Sequence, residues 1–325
     1  MMEPVSVGTP LLWAGFAAFM LCMLALDLFV LGGKTAHKVS TKEALVWSIV
    51  WITLSFIFTG LLWWYLDGTA GREVANDKAL EFLTGYLIEK SLSVDNIFVF
   101  LMIFGFFHVP DEYQRRTLIY GVLGAIIMRA AMILMGAYLV AKFHWILYVF
   151  GLFLAVTGFK MLIFADKKMN LEKNPVLKWM RRHLRITHEY RGEKFTVTQE
   201  GLRWFTPLFL VLMLIEISDV IFAVDSIPAI FAVTRDPFIV FTSNMFAIMG
   251  LRALYFLLAH IAGRFHLLKY GLALVLVFVG AKMLVVDIYK VPIGLALGIV
   301  AIIIAASVAA SLAATRNGNS TEPNS

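Results

Sequence analysis

Apolar residues run along this chain in long continuous blocks separated by short polar stretches, without the strict alternation of a half-buried strand. A helix needs about 20 mostly apolar residues to cross a bilayer. Nine blocks reach that length: 11–31, 44–66, 80–106, 117–140, 144–165, 205–231, 238–261, 266–287 and 292–314. They are apolar all round rather than along one stripe, the pattern of helices surrounded by lipid or by one another. The predicted fold is an all-α polytopic membrane protein of about nine transmembrane helices. The blocks divide it into two leading helices (1–79), a three-helix unit (80–165), a basic connector (166–203), a second three-helix unit (204–287) and a last helix with a polar tail (288–325).

The two three-helix units repeat one another. Residues 143–163 align without gaps on 265–285 with nine identities in 21 positions, opening on Phe-His and closing on Gly-x-Lys-Met-Leu. Upstream, Arg129-Ala130 matches Arg252-Ala253, and SVDNI at 93–97 matches AVDSI at 223–227. Glu89 thereby falls opposite Asp219, and Asp95 opposite Asp225. Consecutive units with an odd number of spans must enter the membrane from opposite sides, so the repeat is predicted to be inverted, with a site expected where the two copies meet near the midplane.

Composition and charge fit this picture. Apolar residues make up 60% of the chain and charged residues 15%, against about 45–50% and about 25% in soluble proteins. The leader MMEPVSVGTP has no Lys or Arg and no small-residue cleavage site follows it, so the first block is expected to stay as a helix rather than leave as a signal peptide. The one cysteine, Cys22, can form no disulfide within the chain and is expected to be a packing thiol. The net charge of +6 points to membrane orientation rather than nucleic acid, because seventeen Lys/Arg lie on one set of alternate loops and five on the other. By the positive-inside rule the N-terminus is expected outside, and the connector and C-terminus in the cytoplasm. Within the connector, Val176, Leu177, Met180 and Leu184 at helical spacing among basic residues predict a surface helix anchored to anionic lipid. EKFTVTQEGLRW predicts a hairpin turning at Glu200-Gly201, and the tail TRNGNSTEPNS a disordered end.

Six carboxylates interrupt the apolar blocks: Asp27, Glu89, Asp95, Glu216, Asp219 and Asp225. A central Asp costs roughly 2.5–3.5 kcal/mol on insertion, so groups at such depth ordinarily mark an ion or proton path. Glu89, Asp95, Glu216, Asp219 and Asp225 are the candidate metal ligands, with Asn96 and Ser226 as neutral donors and Asp27 on the approach. An all-oxygen set suits hard or borderline divalent ions such as Mg²⁺, Ca²⁺ or Mn²⁺ rather than soft metals. Glu216 and Asp219 share a helix face, whereas six residues of ideal helix climb about 9 Å and turn the side chain by the equivalent of 240°. Asp219 and Asp225 therefore require either partners from the other repeat or an unwound helix, which Pro228 favours. Arg129 and Arg252 lie deep enough to balance the acids when no cation is bound. Lys160 and Lys282 are expected to snorkel to the surface, and His144 and His266 to cap matching helices.

The segments GYLIEKSLSVDNIFVF, YGVLGAIIMRAAMI, VLMLIEISDVIFAVDSIPAIFAVTRDPFIVFTSN and YGLALVLVFVGAKMLVVDIY closely resemble the TerC family, most of all its Alx-type branch, from about residue 8 to about 300. The resemblance implies a bacterial inner-membrane protein that exports Mn²⁺, within a wider family linked to tellurium resistance. It also implies that the family's membrane acids correspond to Asp27, Glu89, Asp95, Glu216, Asp219 and Asp225. The expectation is a transporter rather than an enzyme, with the lipid bilayer and a divalent metal substrate as partners and no resident cofactor or nucleic acid. The alternatives are an exporter of another small cation or a basic amino acid, and a non-transporting scaffold in metal or tellurite stress.

Overall fold

In the computed structural model the chain is described over residues 6–30, 39–143, 145–164, 171, 174–199, 201–259, 267–289 and 291–318. The main elements are α1 (Pro10–Val30), α2 (Thr41–Thr69), α3 (Arg72–Phe106), α4 (Asp111–Lys142), α5 (Ile146–Phe164), the short α6 (Pro175–His183), strands β1 (Thr196–Gln199) and β2 (Leu202–Phe205), α7 (Pro207–Phe231), α8 (Pro237–Met249), α9 (Leu251–Ala259), α10 (Leu268–Leu284) and α11 (Ile293–Gly318). Among the described residues six segments are long and apolar enough to cross a membrane: α2, α4, Ile146–Ile163 within α5, α7, the α8–α9 pair, and Ile293–Ala314 within α11. The apolar part of α1, Pro10–Leu26, is shorter. Helix α3 runs 35 residues but carries Glu81, Glu89, Lys90 and Asp95, and those charges dilute its apolar character.

Local chemistry sets the helix ends. Ser40 accepts the amide of Glu43 to start α2, Asn174 accepts those of Val176 and Leu177 to start α6, and Asp236 accepts that of Phe238 to start α8, each satisfying an otherwise orphaned donor. Asp236 also takes the Ser6 hydroxyl (2.7 Å) and the Val7 amide (2.8 Å), tying the N-terminal segment to the head of α8. The hairpin forms with Gln199 paired to Leu202, and Gly201 at φ 75° turns it, a conformation glycine adopts without a Cβ penalty.

Of the two arrangements open to Asp219 and Asp225, the unwound helix does not form. Helix α3 is continuous through Asp95, and α7 continues through Pro228. The interruption falls instead at Gly250, between α8 and α9. Helix α11 extends to Gly318, into the stretch read as a disordered tail, while 319–325, His144 and His266 lie outside the described residues. Cys22 is exposed on α1 rather than packed: the outer face of an apolar helix has lipid, not protein, to meet.

Packing fixes the directions of the central helices. The Gly85 and Ile230 positions adjoin, as do Glu89 and Ser226, so α3 and α7 are antiparallel. Gly121 meets Ile215 and Gly136 meets Phe231, so α4 and α7 are parallel. Helices α5 and α10 cross where Gly151, Gly158 and Gly280 let backbones touch: a Cβ on Gly280 would lie 2.6 Å from the Ala155 nitrogen. An aromatic cluster of Phe16, Phe58, Phe82, Phe238 and Phe246 joins α1, α2, α3 and α8, with Phe58 and Phe246 centroids 5.0 Å apart.

Candidate functional site

The deepest charges in the bundle meet where α3, α4 and α7 converge. Arg129 of α4 is 2% exposed, Glu89 of α3 1% and Asp219 of α7 3%. The guanidinium donates from Nε and Nη2 to the two carboxylate oxygens of Asp219, at 3.0 and 2.8 Å, a bidentate fork. Its Nη1 contacts Glu89 Oε1. One arginine thus holds two acids that occupy equivalent positions in the sequence repeat. Formally the trio keeps one negative charge.

Three buried oxygens here have no hydrogen-bond partner: Glu89 Oε2, Asn96 Oδ1 and Glu216 Oε2. Ser226 donates to Glu89 Oε1 at 3.4 Å. The antiparallel register set by Gly85–Ile230 and Glu89–Ser226 pairs each step forward on α3 with a step back on α7. Carried on along the helices, it brings Asp95 and Asn96 level with Asp219, and Glu89 level with Asp225 and Ser226. Asp95 and Asp225 are close enough to repel each other, Lys269 of α10 attracts Asp95, and the Thr157 hydroxyl of α5 donates to Asp225.

Not all the predicted ligands meet. Among the described residues no group of three or more Asp, Glu, His or Cys side chains is placed to hold a metal ion. The physical reason is visible: Arg129 stands between Glu89 and Asp219, and six residues of unbroken helix point Asp95 away from the face of Glu89, and Asp225 away from that of Asp219, by the equivalent of about 240°. Glu216, expected to act with Asp219 from one helix face, lies with its carboxylate against Gly124 of α4 and feels the Asp219 charge. Arg252, the repeat mate of Arg129, is buried on α9 at 4% exposure and is not among the groups on Glu89 or Asp219. Asp27 lies in α1, with its side chain outside the described residues.

Thr157, Lys269 and Gly124 were not singled out by sequence reasoning. Thr157 had a usable signal, being a hydroxyl in an otherwise apolar block. Nothing local marks Lys269 as a partner of Asp95, or Gly124, whose role comes from the facing helix.

Cavities lie at both ends of α3. One of about 540 Å³, beside the N-terminus of α3, is lined by Asp77, Lys78, Glu81, Thr234, Asp236 and Lys282. There Glu81 accepts from Lys78 at 2.8 Å and from the Thr234 hydroxyl, and attracts Lys282. The other, of about 490 Å³, is lined by His108, Asp111, Gln114 and Tyr255 near the C-terminus of α3.

Residues 74–319 match the family described as integral membrane protein TerC. The chain belongs to the TerC family. This TerC chain is 58% identical over 295 residues to the Alx proteins of Escherichia coli (strain K12) and Salmonella typhi, covering 91% of this chain and 92% of each relative. Their names propose a membrane-bound redox modulator. An uncharacterized membrane protein of Myxococcus xanthus is 49% identical over 296 residues, 91% of this chain and 90% of that one. No solved structure matches. The TerC chain is thus a helical, multi-pass integral membrane protein with bacterial relatives.

Proposed function

We propose that this TerC protein exports Mn²⁺ from the cytoplasm across the inner membrane by alternating access between two inverted three-helix repeats. The observation that carries the reading is the charge arrangement: repeat-matched Glu89 and Asp219 share one buried guanidinium, surrounded by oxygen atoms that lack partners. A buried acceptor left unmade costs about 1–3 kcal/mol. A divalent cation taking the guanidinium's place would satisfy several such oxygens at once and neutralise both acids.

In this reading Arg129 takes the cation's place in the resting conformation, and Mn²⁺ displaces it. Glu89, Asp95, Asp219 and Asp225 then supply carboxylate ligands, Asn96 and Ser226 neutral oxygens, and Glu216 completes the set or carries a coupling proton. Nine membrane passes result when α1, α3 and α10 are added to the six apolar ones, with α3 crossing on the strength of its ion pairs.

Packing supports the inverted repeat. At the α5–α10 crossing Gly158 adjoins Ala273 and Val277, while its repeat mate Gly280 adjoins Gly151 and Ala155. These contacts exchange when the two copies are swapped, as a two-fold relation requires. The α3–α7 register exchanges in the same way. Approaches from the two sides would open from the cavities at the two ends of α3.

The reading is tested by loading cells with Mn²⁺ and following efflux. Asp95→Asn and Asp225→Asn are each expected to abolish it with expression unchanged; normal efflux in both removes the site assignment.

A further inference from the structure

Residues 174–199 and 201–206 form a small lobe that clamps onto the bundle by one face. Leu177 and Met180 of α6 are buried. The Tyr190 hydroxyl donates to the Phe107 carbonyl at 2.8 Å, at the C-terminal end of α3. Tyr190 also packs on Tyr113 (6.2 Å between centroids), Glu193 pairs with Arg116 at 3.6 Å, and Phe195 meets Tyr120 edge-on. The lobe is therefore fastened to the α3–α4 turn and the start of α4, at the level where spans end.

Its other face is different in kind. Lys178, Trp179, Arg181, Arg182 and Arg185 are all exposed. Trp179 is 57% exposed and stacks on His183 with centroids 5.0 Å apart. The connector 166–203 holds ten Lys/Arg against five Asp/Glu. An uncovered indole ringed by cations at the end of membrane spans suits the headgroup zone, where amphipathic rings settle and basic side chains meet anionic lipid. Its position at the level where spans end puts this face beside the headgroups, which favours lipid over a soluble acidic partner.

We propose that this face is a docking platform for anionic phospholipid headgroups of the adjoining leaflet. Lys178, Arg181, Arg182 and Arg185 grip the phosphates, Trp179 seats among the headgroups, and Tyr190 passes the restraint to the end of α3. The inference stands apart from Mn²⁺ export, because it depends only on the lobe and its position.

Hydrogen exchange on the full chain, reconstituted either in phosphatidylcholine vesicles or in vesicles with equal phosphatidylglycerol, reads both parts. Exchange across 176–185 is expected to slow several-fold in the anionic vesicles, and across 104–112 to a lesser degree. Combined Lys178→Gln, Arg181→Gln and Arg182→Gln removes the difference. Tyr190→Phe keeps it in 176–185 and loses it in 104–112. Equal exchange of the unaltered chain in the two lipids overturns the platform, a result that needs no variant to fold. Equal protection from added polyglutamate in neutral vesicles overturns lipid as the occupant. Protection of 104–112 persisting in Tyr190→Phe overturns the Tyr190 route.

Discussion

Replacing Arg129 with glutamine orphans two buried acids at once. Glu89 and Asp219 are 1% and 3% exposed, and Arg129 supplies a contact to the first and two hydrogen bonds to the second. At an effective dielectric of about 20, each opposite pair near 3 Å attracts by about 5 kcal/mol, much of it offset by desolvation. Removing one partner of such a buried pair costs about 3–5 kcal/mol, and with two acids stranded the upper end is expected. The cost is measured as the loss of thermal stability of purified protein in detergent, followed by intrinsic tryptophan fluorescence. Neutralising the acids as well, in Arg129→Gln/Glu89→Gln/Asp219→Asn, is expected to recover most of the loss, since no uncompensated charge then remains. If Arg129 stands in for a cation, Mn²⁺ should restore the single variant by about 2.7 kcal/mol at a hundred times its dissociation constant, and stabilise the unaltered protein less. A loss under about 1 kcal/mol in Arg129→Gln, or no Mn²⁺ effect on that variant, refutes the reasoning.

Three further outcomes are expected. Gly280→Ala forces α5 and α10 apart, because the new Cβ would lie 2.6 Å from the Ala155 nitrogen and 2.7 Å from the Gly151 oxygen; thermal unfolding should report a loss of about 1–3 kcal/mol. Asp236→Ala removes the α8 cap and the tether to Ser6 and Val7, so a cap-sized loss of roughly 0.5–2 kcal/mol should accompany faster proteolysis before residue 10. Burial pushes the Tyr190 phenol up to about 12. Its neutral form is the one favoured, so its contribution is full below the ordinary phenol value near 10 and fades only as pH rises through the folded value. The stability gap between the unaltered protein and Tyr190→Phe should therefore stay constant from about pH 7 to 10; a gap that narrows from neutrality contradicts this.

Much of the fold was legible because lipid imposes a simple rule: backbone donors must be satisfied within the helix, so apolar blocks become helices. Among the described residues the apolar blocks fall mainly on helices, with 238–261 divided at Gly250 and 266–287 running past the end of α10, and a helix and a hairpin of the connector appear at α6 and β1–β2, with Leu177 and Met180 turned into the protein. Helix breaks were less legible. Pro228 pointed to a break, but it lies three residues before the end of α7, where losing one internal hydrogen bond costs little continuity. Gly250 gave no warning within its apolar run, although its backbone lies close to the Lys90 ammonium. For the site, the repeat named Glu89, Asp219 and Arg129. That one guanidinium serves both acids depends on the approach of α4 to α3 and α7, which no local pattern encodes. Glu216 shows the same limit, since helical spacing places it near Asp219 but the absence of a side chain at Gly124 decides where its carboxylate rests.

Mn²⁺ flux into proteoliposomes containing only the purified chain tests the central claim most directly. The account predicts quenching of an entrapped Mn²⁺-sensitive dye, lost in Asp95→Asn and Asp225→Asn and unaffected by excess lysine. Flux no greater than in protein-free liposomes, or equal flux in all three proteins, contradicts it.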